Sequence, residues 1–291
     1  MGKREEQQSQ ESLWIAHTEL AAAPGHPFYQ KLNELLDAEH FDGFVEGLCS
    51  KFYAPQFGRP SLLPGIYFRS LLIGYFEGIE GERGIAWRVA DSLALRRFLG
   101  IALTERTPDH STLSRTRRLI DLETHQQVFA WVLGLLADRG LLEDKRIGID
   151  ATTLEANAGV PGDKSSSLGR KAEHAVDMDS SAVVAVTLQA ADLGDTTTIH
   201  ETLAEAGMAV AELVKREAES YPEEEPKVNV DGIEELVADK GYQSGAVVEW
   251  VGENEVTSYI PERMQAGKRN WDGKQAEQQA VEANHGRVTG E

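Results

Sequence analysis

The stretch RIGIDATTLEANA, Arg146 to Ala158, decides the fold of this chain. Its residues 147–149 form a short apolar, β-prone run that ends in Asp150, and residues 151–153 are expected to lead the chain out of the strand. A carboxylate at the end of a buried strand is costly unless it is paired, hydrogen-bonded or bound to a cation. Taken alone, Asp150 is most simply a residue that caps a turn.

A second copy of the same pattern changes this interpretation. Residues 235–238 form another short apolar run, which leads into Asp239 and then into Lys240, Gly241 and Tyr242. Two such runs on neighbouring strands would bring both carboxylates to one edge of a sheet, as a divalent metal site requires. We therefore expect Asp150 and Asp239 to lie at neighbouring strand ends.

Several segments of the chain are shared with one family. GIDATTLEANA at 148–158 and VADKGYQS at 237–244 resemble the DDE transposases of bacterial insertion sequences, in the branch related to the IS-four and IS-five groups. Three further segments occur in the family's order: PDHSTLSRTRRLI at 108–120, HAVDMDSSAVVAV at 174–186 and GDTTT at 194–198. The resemblance runs from about Leu13 to the last residue. Each segment is weak alone, but the set is specific.

The resemblance implies a fold, an activity and a site. Family members have a ribonuclease H-like fold, in which three carboxylates hold two Mg²⁺ (or Mn²⁺) ions that drive the cleavage and joining of DNA strands. Asp150 and Asp239 match the first two acids. The implied partners are the ends of the insertion sequence, the target DNA and, when the enzyme is active, further copies of the same chain.

The third acid of the family is a Glu in a helix, well after the segment that resembles WDGKQAEQQAV at 271–281. The tail contains Glu277, Glu282 and Glu291, but none of them occupies the context of the family's third acid. The tail also departs from the family, whose members commonly carry an aromatic residue and several arginines near Glu282, His285 and Gly286. The chain is therefore predicted to be a C-terminally truncated and inactive transposase. Two alternatives stay open: a catalytically dead fragment that binds only DNA or a transposase partner, and an unrelated metal-dependent phosphohydrolase.

The predicted fold class is α/β, with a helical domain before an incomplete sheet core. The predicted divisions are a disordered tail at 1–12, a helical DNA-binding or dimerisation domain at 13–140, a ribonuclease H-like core at 141–261 and a polar tail at 262–291. In the first domain, apolar residues recur at helical spacing from Pro27 onward. In the core, a loop is predicted at 159–170 and a β-hairpin around 179–181.

Composition limits the setting in which the chain works. One cysteine in 291 residues permits no internal disulfide, no apolar run reaches the roughly 18 residues of a membrane span, and the N-terminus lacks the apolar core of a signal peptide. These features predict a cytoplasmic protein with no membrane partner. The net charge of −19 opposes DNA binding, which needs Lys and Arg.

Basic residues are nevertheless concentrated in one segment, with six arginines between residues 96 and 118. Arg115, Arg117 and Arg118 are the candidates for contact with DNA phosphates, although three arginines in four positions are as often a solvated helix face. His174 and Asp177 are weaker candidates, as additional metal ligands.

Overall fold

The computed structural model describes residues 27–53, 61–142, 144–154, 169–223, 225–263 and 269–290. The chain divides into two compact units, Met1–Gln126 and Gln127–Glu291. The predicted tail at 1–12 and nearly all of the predicted loop at 159–170 lie outside the described residues. Among the helices that are described, none is long and apolar enough to cross a membrane.

The described part of the first unit is helical. Its α-helices are α1 (Pro27–Ala38), α2 (Phe41–Cys49), α3 (Pro64–Phe76), α4 (Glu82–Ala90), α5 (Leu93–Phe98), α6 (His110–Leu119) and the start of α7 (Leu122–Asp138), and a 3₁₀ turn at Ser50–Phe52 follows α2. Pro64 stands in the first turn of α3, where its missing N–H has no partner to lose.

A buried arginine organises the core of the first unit. Arg69 of α3 is 4% exposed and donates to both carboxylate oxygens of Asp42, at 3.1 Å each, and to Asp37 at 3.0 Å. A buried guanidinium is tolerated only when such partners satisfy it, so Arg69 joins α1, α2 and α3. This cation therefore has a structural role and does not add to the basic surface.

The second unit contains a five-stranded mixed sheet. The strands are β1 (Arg146–Leu154), β2 (Arg170–Asp177), β3 (Val183–Ala190), β4 (Glu235–Ala238) and β5 (Thr257–Tyr259), in the spatial order β3-β2-β1-β4-β5. β2 is antiparallel to both β1 and β3, whereas β1, β4 and β5 are mutually parallel. The predicted α/β class is confirmed, and the predicted hairpin is formed by β2 and β3.

Three helices complete this unit: α8 (Asp195–Ser220) between β3 and β4, α9 (Gly245–Glu253) between β4 and β5, and α10 (Gln275–Thr289) after β5. One face of the sheet is the core. Apolar residues of the strands pack there against the apolar side of α8. The strand residues are Ile147, Ile149, Leu236 and Ala238, and the helix residues are Ile199, Leu203, Ala206 and Val210.

Two sequence predictions are corrected here. The chain does not leave the strand after Asp150, because β1 continues to Leu154 and pairs residue by residue with β2 as far as Arg170. The β-branched Thr152 and Thr153 suit this extension. The segment 262–291 also contains α10, whose Val281 and Asn284 are buried. The sequence hides this helix because its buried stripe is narrow and partly polar.

Two residues before β1, the carboxyl group of Asp144 is buried. Asp144 has no solvent exposure, and neither of its carboxylate oxygens has a hydrogen-bond partner among the residues that the structure describes. Burial, and then the negative charge of Asp177, raises the pKa of Asp144 from 3.8 to about 7. The backbone of Asp144 has φ 55°, a left-handed conformation that Asp and Asn adopt more readily than most residues.

Asp144→Asn is therefore expected to stabilise the protein at pH 8. Because the pKa of Asp144 is raised in the folded state, its contribution to stability is full below about pH 4, declines as the pH rises and is lost above about pH 7. At about 1.4 kcal/mol per pKa unit, the wild type loses up to about 4 kcal/mol. Urea unfolding should give a larger gain for the variant at pH 8 than at pH 5. The exposed Asp179→Asn is the control, and an equal gain at both pH values would contradict this prediction.

Candidate metal centre and arginine-bearing helix

Asp150 and Asp239 occupy adjacent register positions on neighbouring parallel strands. Ile149 pairs with Ala238, so the next residue on each strand is the aspartate. Parallel strands lie about 4.8 Å apart, and side chains alternate between the faces of a sheet. Since Ile149 faces α8, alternation places Asp150 on the opposite face, and Asp239 directly follows the end of β4. Both residues are exposed.

Local hydrogen bonds orient each carboxylate. Oδ1 of Asp150 accepts from the backbone N–H of Ala151 at 2.8 Å. Oδ1 of Asp239 accepts from the N–H of Gly241 at 2.6 Å, because a 3₁₀ turn at Lys240–Tyr242 follows β4 immediately. Two exposed carboxylates side by side form a donor set that suits Mg²⁺ or Mn²⁺, which prefer oxygen ligands.

The two weaker candidates from the sequence are separated by the structure. His174 of β2 pairs directly with Asp150 across the antiparallel ladder, so it stands beside the aspartate pair on the same face. Asp177 pairs with Ile147 at the other end of the strand. Asp177 is fully buried, and its carboxylate accepts from the N–H and the hydroxyl of Ser180. This carboxylate stabilises the turn between β2 and β3.

Across the described ranges, no three His, Cys, Asp or Glu side chains converge as a metal site. Helix α10 nevertheless carries two glutamates. Glu277 is paired with Lys274 at 2.7 Å and packs against Gly245, where its Oε2 lies 2.3 Å from the position of an added Cβ. Glu282 is exposed and accepts from Gln278 at 2.7 Å.

Glu282 also lines a cavity of about 430 Å³ together with Arg263 and Trp271. Arg263 donates to the carbonyl oxygens of Lys240 and Gly241, in the turn that follows Asp239. One arginine therefore connects the cavity of Glu282 to the aspartate pair.

The arginine cluster lies on α6, and its three side chains are exposed. Asp109 caps this helix by accepting from the N–H of Thr112 at 2.8 Å, and hydrogen bonds from Ser111 and Thr112 lower the pKa of Asp109 to about 2. Arg117 pairs with Glu82 of α4 at 2.8 Å. Arg115 and Arg118 donate to backbone oxygens of their own helix, Ser111 and Ser114. All three guanidinium groups are thus oriented and accessible.

The sequence interpretation missed a buried polar network next to Asp239. Its members are Lys171 and Glu173 of β2, Asp195 and Thr198 of α8, and Tyr242 of the 3₁₀ turn. Their positions in the sequence carry a weak signal, since Lys171, Glu173 and Ala175 share one face of a strand. A charged residue in a strand is usually solvated, so the pattern alone does not reveal burial.

Comparison with solved structures finds transposase complexes at low similarity. A pre-cleavage Mos1 transpososome is 11% identical, with 71% of this chain and 61% of that chain covered and a TM-score of 0.25. The Mos1 transposase paired-end complex with left transposon end is 12% identical, with 82% of each chain covered and a TM-score of 0.24. The Mos1 mariner paired end complex with Mn is 11% identical, covers 92% of this chain and 96% of that chain, and has a TM-score of 0.23.

Comparison with curated proteins gave no match. Comparison with family models gave a match over residues 17–119, the segment that includes α1 to α6 and the arginine cluster. That family is described as Transposase domain (DUF772). Residues 17–119 of this chain are therefore similar to a transposase domain.

Proposed function

We propose that this chain is the DNA transposase of an insertion sequence of the IS-four/IS-five-like group. We further propose that it cleaves and joins DNA strands with the help of a divalent metal, but only slowly, because the described residues bring no third acid to the site. The match of residues 17–119 to a transposase domain carries the proposal. The adjacent positions of Asp150 and Asp239 support it, because this is the pair that the family resemblance assigns to the metal. We further propose that the five-stranded sheet and its helices are a ribonuclease H-like core.

In this proposal Asp150 and Asp239 hold Mg²⁺ or Mn²⁺ between them. In each aspartate, Oδ1 accepts a hydrogen bond from a neighbouring backbone N–H. This bond fixes the orientation of the carboxylate and therefore the direction of Oδ2. The bound metal supplies activation of the attacking oxygen and charge stabilisation for the leaving oxygen. His174 stands next to Asp150 on the same face of the sheet.

A third carboxylate is the part of the site that the described residues do not bring together. Without convergence of three acids, two metal ions are weakly held and cleavage is slow. Active transposition then involves several copies of the chain together with the ends of the element and target DNA.

Metal-dependent cleavage of the DNA ends of the encoding element tests the function. Slow, residual cleavage that requires Mn²⁺ and that is lost in Asp150→Asn supports the transposase. Cleavage that persists in Asp150→Asn and Asp239→Asn excludes this site.

A second candidate function is a fragment that binds DNA but does not cut it. The observation that favours this candidate is the lack of a three-acid cluster among the residues that the structure describes. Specific binding to the ends of the element, with no cleavage in Mg²⁺ or Mn²⁺, would distinguish the fragment from the enzyme.

Replacement of Arg115, Arg117 and Arg118 by alanine is expected to weaken DNA binding and to flatten its dependence on salt. Each lost phosphate contact reduces the slope of log K against log salt by about 0.9. Titrations from low to moderate salt should give a slope lower by about 2 to 3 in the triple variant. Arg88→Ala is the control, since Arg88 is exposed but paired with Glu77 of α3's C-terminal end. If the triple variant has the same DNA affinity and salt slope as the wild type, the three arginines are only a solvated helix face.

A further inference from the structure

We propose that Tyr242 and Glu173 are positioning residues for Asp239: they fix the 3₁₀ turn that aims its carboxylate at the metal. Lys171 links Glu173 to Asp195, whose carboxylate lies beside Gly241 of the same turn. The inference rests on the proposed metal role of Asp239. It adds Tyr242 and Glu173, as positioning residues, to the two aspartates that would hold the metal.

Tyr242 links the turn to the interior of the sheet. It lies three residues after Asp239, is 1% exposed, and its hydroxyl donates to Oε1 of Glu173 at 3.0 Å. Its backbone N–H donates to the carbonyl oxygen of Asp239 at 3.2 Å. Movement of the ring therefore moves the backbone that carries Asp239.

Glu173 is a rigid anchor because its buried charge is fully partnered. It has no solvent exposure. Besides Tyr242, it accepts from Thr198 at 2.7 Å and Thr202 at 2.5 Å, and it is paired with Lys171 at 3.2 Å. A buried carboxylate with this many donors is strongly oriented. Burial and then the charge of Glu173 raise the pKa of Tyr242, so the tyrosine stays a donor at neutral pH.

Lys171 extends the network to the other side of the turn. Its ammonium pairs with Oδ1 of Asp195, the first residue of α8, at 2.9 Å. A Cβ on Gly241 would lie 2.7 Å from Oδ2 of Asp195 and 2.6 Å from Oδ1 of Asp239. The carboxylates of Asp195 and Asp239 therefore both lie against the position that a side chain at 241 would occupy, and only glycine fits there. The turn is anchored at Tyr242 and has no room for a side chain at Gly241.

The same network also joins β2 to α8, which is a structural role. Thr202 serves this role alone, since its hydroxyl contacts Glu173 and Thr187 and has no contact with the turn. Tyr242→Phe and Thr202→Val each remove one hydroxyl from Glu173. Only the first of them loosens Asp239.

The experiment compares these two variants of the full chain by three measurements: Mn²⁺ affinity by calorimetry, hydrogen exchange of the Gly241 amide, and thermal stability. We expect Tyr242→Phe to weaken Mn²⁺ binding about 10-fold, the lower end of the range for residues that orient metal ligands. The Gly241 N–H, which donates to Asp239, should exchange faster in that variant. Thr202→Val should lower the melting temperature while both of the other values stay at the wild-type level.

The outcomes separate this inference from the proposed function. If the wild type shows no Mn²⁺ binding that depends on Asp150, the proposed metal site is wrong. The hydrogen-exchange rate of the Gly241 amide then still tests whether Tyr242 positions the turn. Unchanged exchange in Tyr242→Phe, or equal changes of Mn²⁺ affinity in both variants, overturns the inference. Asp195→Asn is the second variant if Tyr242→Phe does not fold, because the Asp195 side chain is 37% exposed. It too should speed Gly241 exchange, and unchanged exchange there has the same meaning.

Discussion

Purified chain incubated with Mn²⁺ and DNA that carries the ends of the element is expected to show little or no strand cleavage. Two aspartates offset less of the charge of two divalent cations than three acids would, so the second ion is poorly held. Stabilisation of the leaving oxyanion falls with it. The described residues contain no three-acid cluster that would compensate.

Gel analysis of end-labelled DNA measures this result, with Asp150→Asn as the inactive reference. Robust cleavage that disappears in Asp150→Asn would contradict the expectation and show that this chain supplies a third ligand. Glu282→Gln and Glu277→Gln then form a matched pair on α10. Loss of cleavage in Glu282→Gln alone would locate the ligand, because Glu277 is already paired with Lys274 and packed against Gly245.

Asp150→Asn and Asp239→Asn are each expected to weaken Mn²⁺ binding by on the order of 100-fold, because the charge count of a hard-cation site sets its affinity. The register of β1 and β4 makes the two losses similar, since each residue supplies one of two adjacent carboxylates. Calorimetric titration measures both, and Asp192→Asn, an exposed acid in the turn before α8, is the control. A loss in only one of the two variants would mean that the aspartates do not share a cation.

The aspartate pair could be predicted from the sequence because the pattern is local. An alternating apolar run indicates a strand, and the residue after the run then lies at the strand's end. What the sequence did not contain was the difference in length between the two strands. β4 stops at Ala238, but β1 continues through Thr152 and Thr153 because β2 is long enough to pair with them. Strand length is thus set by the partner, and a single segment carries little information about it.

Helix α10 and the network around Glu173 escaped prediction for a different reason. Both use polar side chains as buried contacts. Asn284 is fully buried in α10, and Glu173 is fully buried in β2. Polar residues are mostly exposed, so a reader of the sequence assigns such positions to the surface. Only the structure shows that both side chains have hydrogen-bond partners inside the protein, which are Ile260 for Asn284 and Tyr242 for Glu173.

The contact between Asn284 and Ile260 also bears on how the protein avoids aggregation. β5 stands at an end of the sheet, where unpaired backbone groups invite strands of other molecules to add on. The side-chain amide of Asn284 donates to the carbonyl oxygen of Ile260 and accepts from its N–H, and Arg287 donates to the carbonyl oxygen of Ser258. Side chains of one helix thus occupy the hydrogen-bonding positions that a sixth strand would use. The outer edge of β5 is therefore covered by a helix of the same chain.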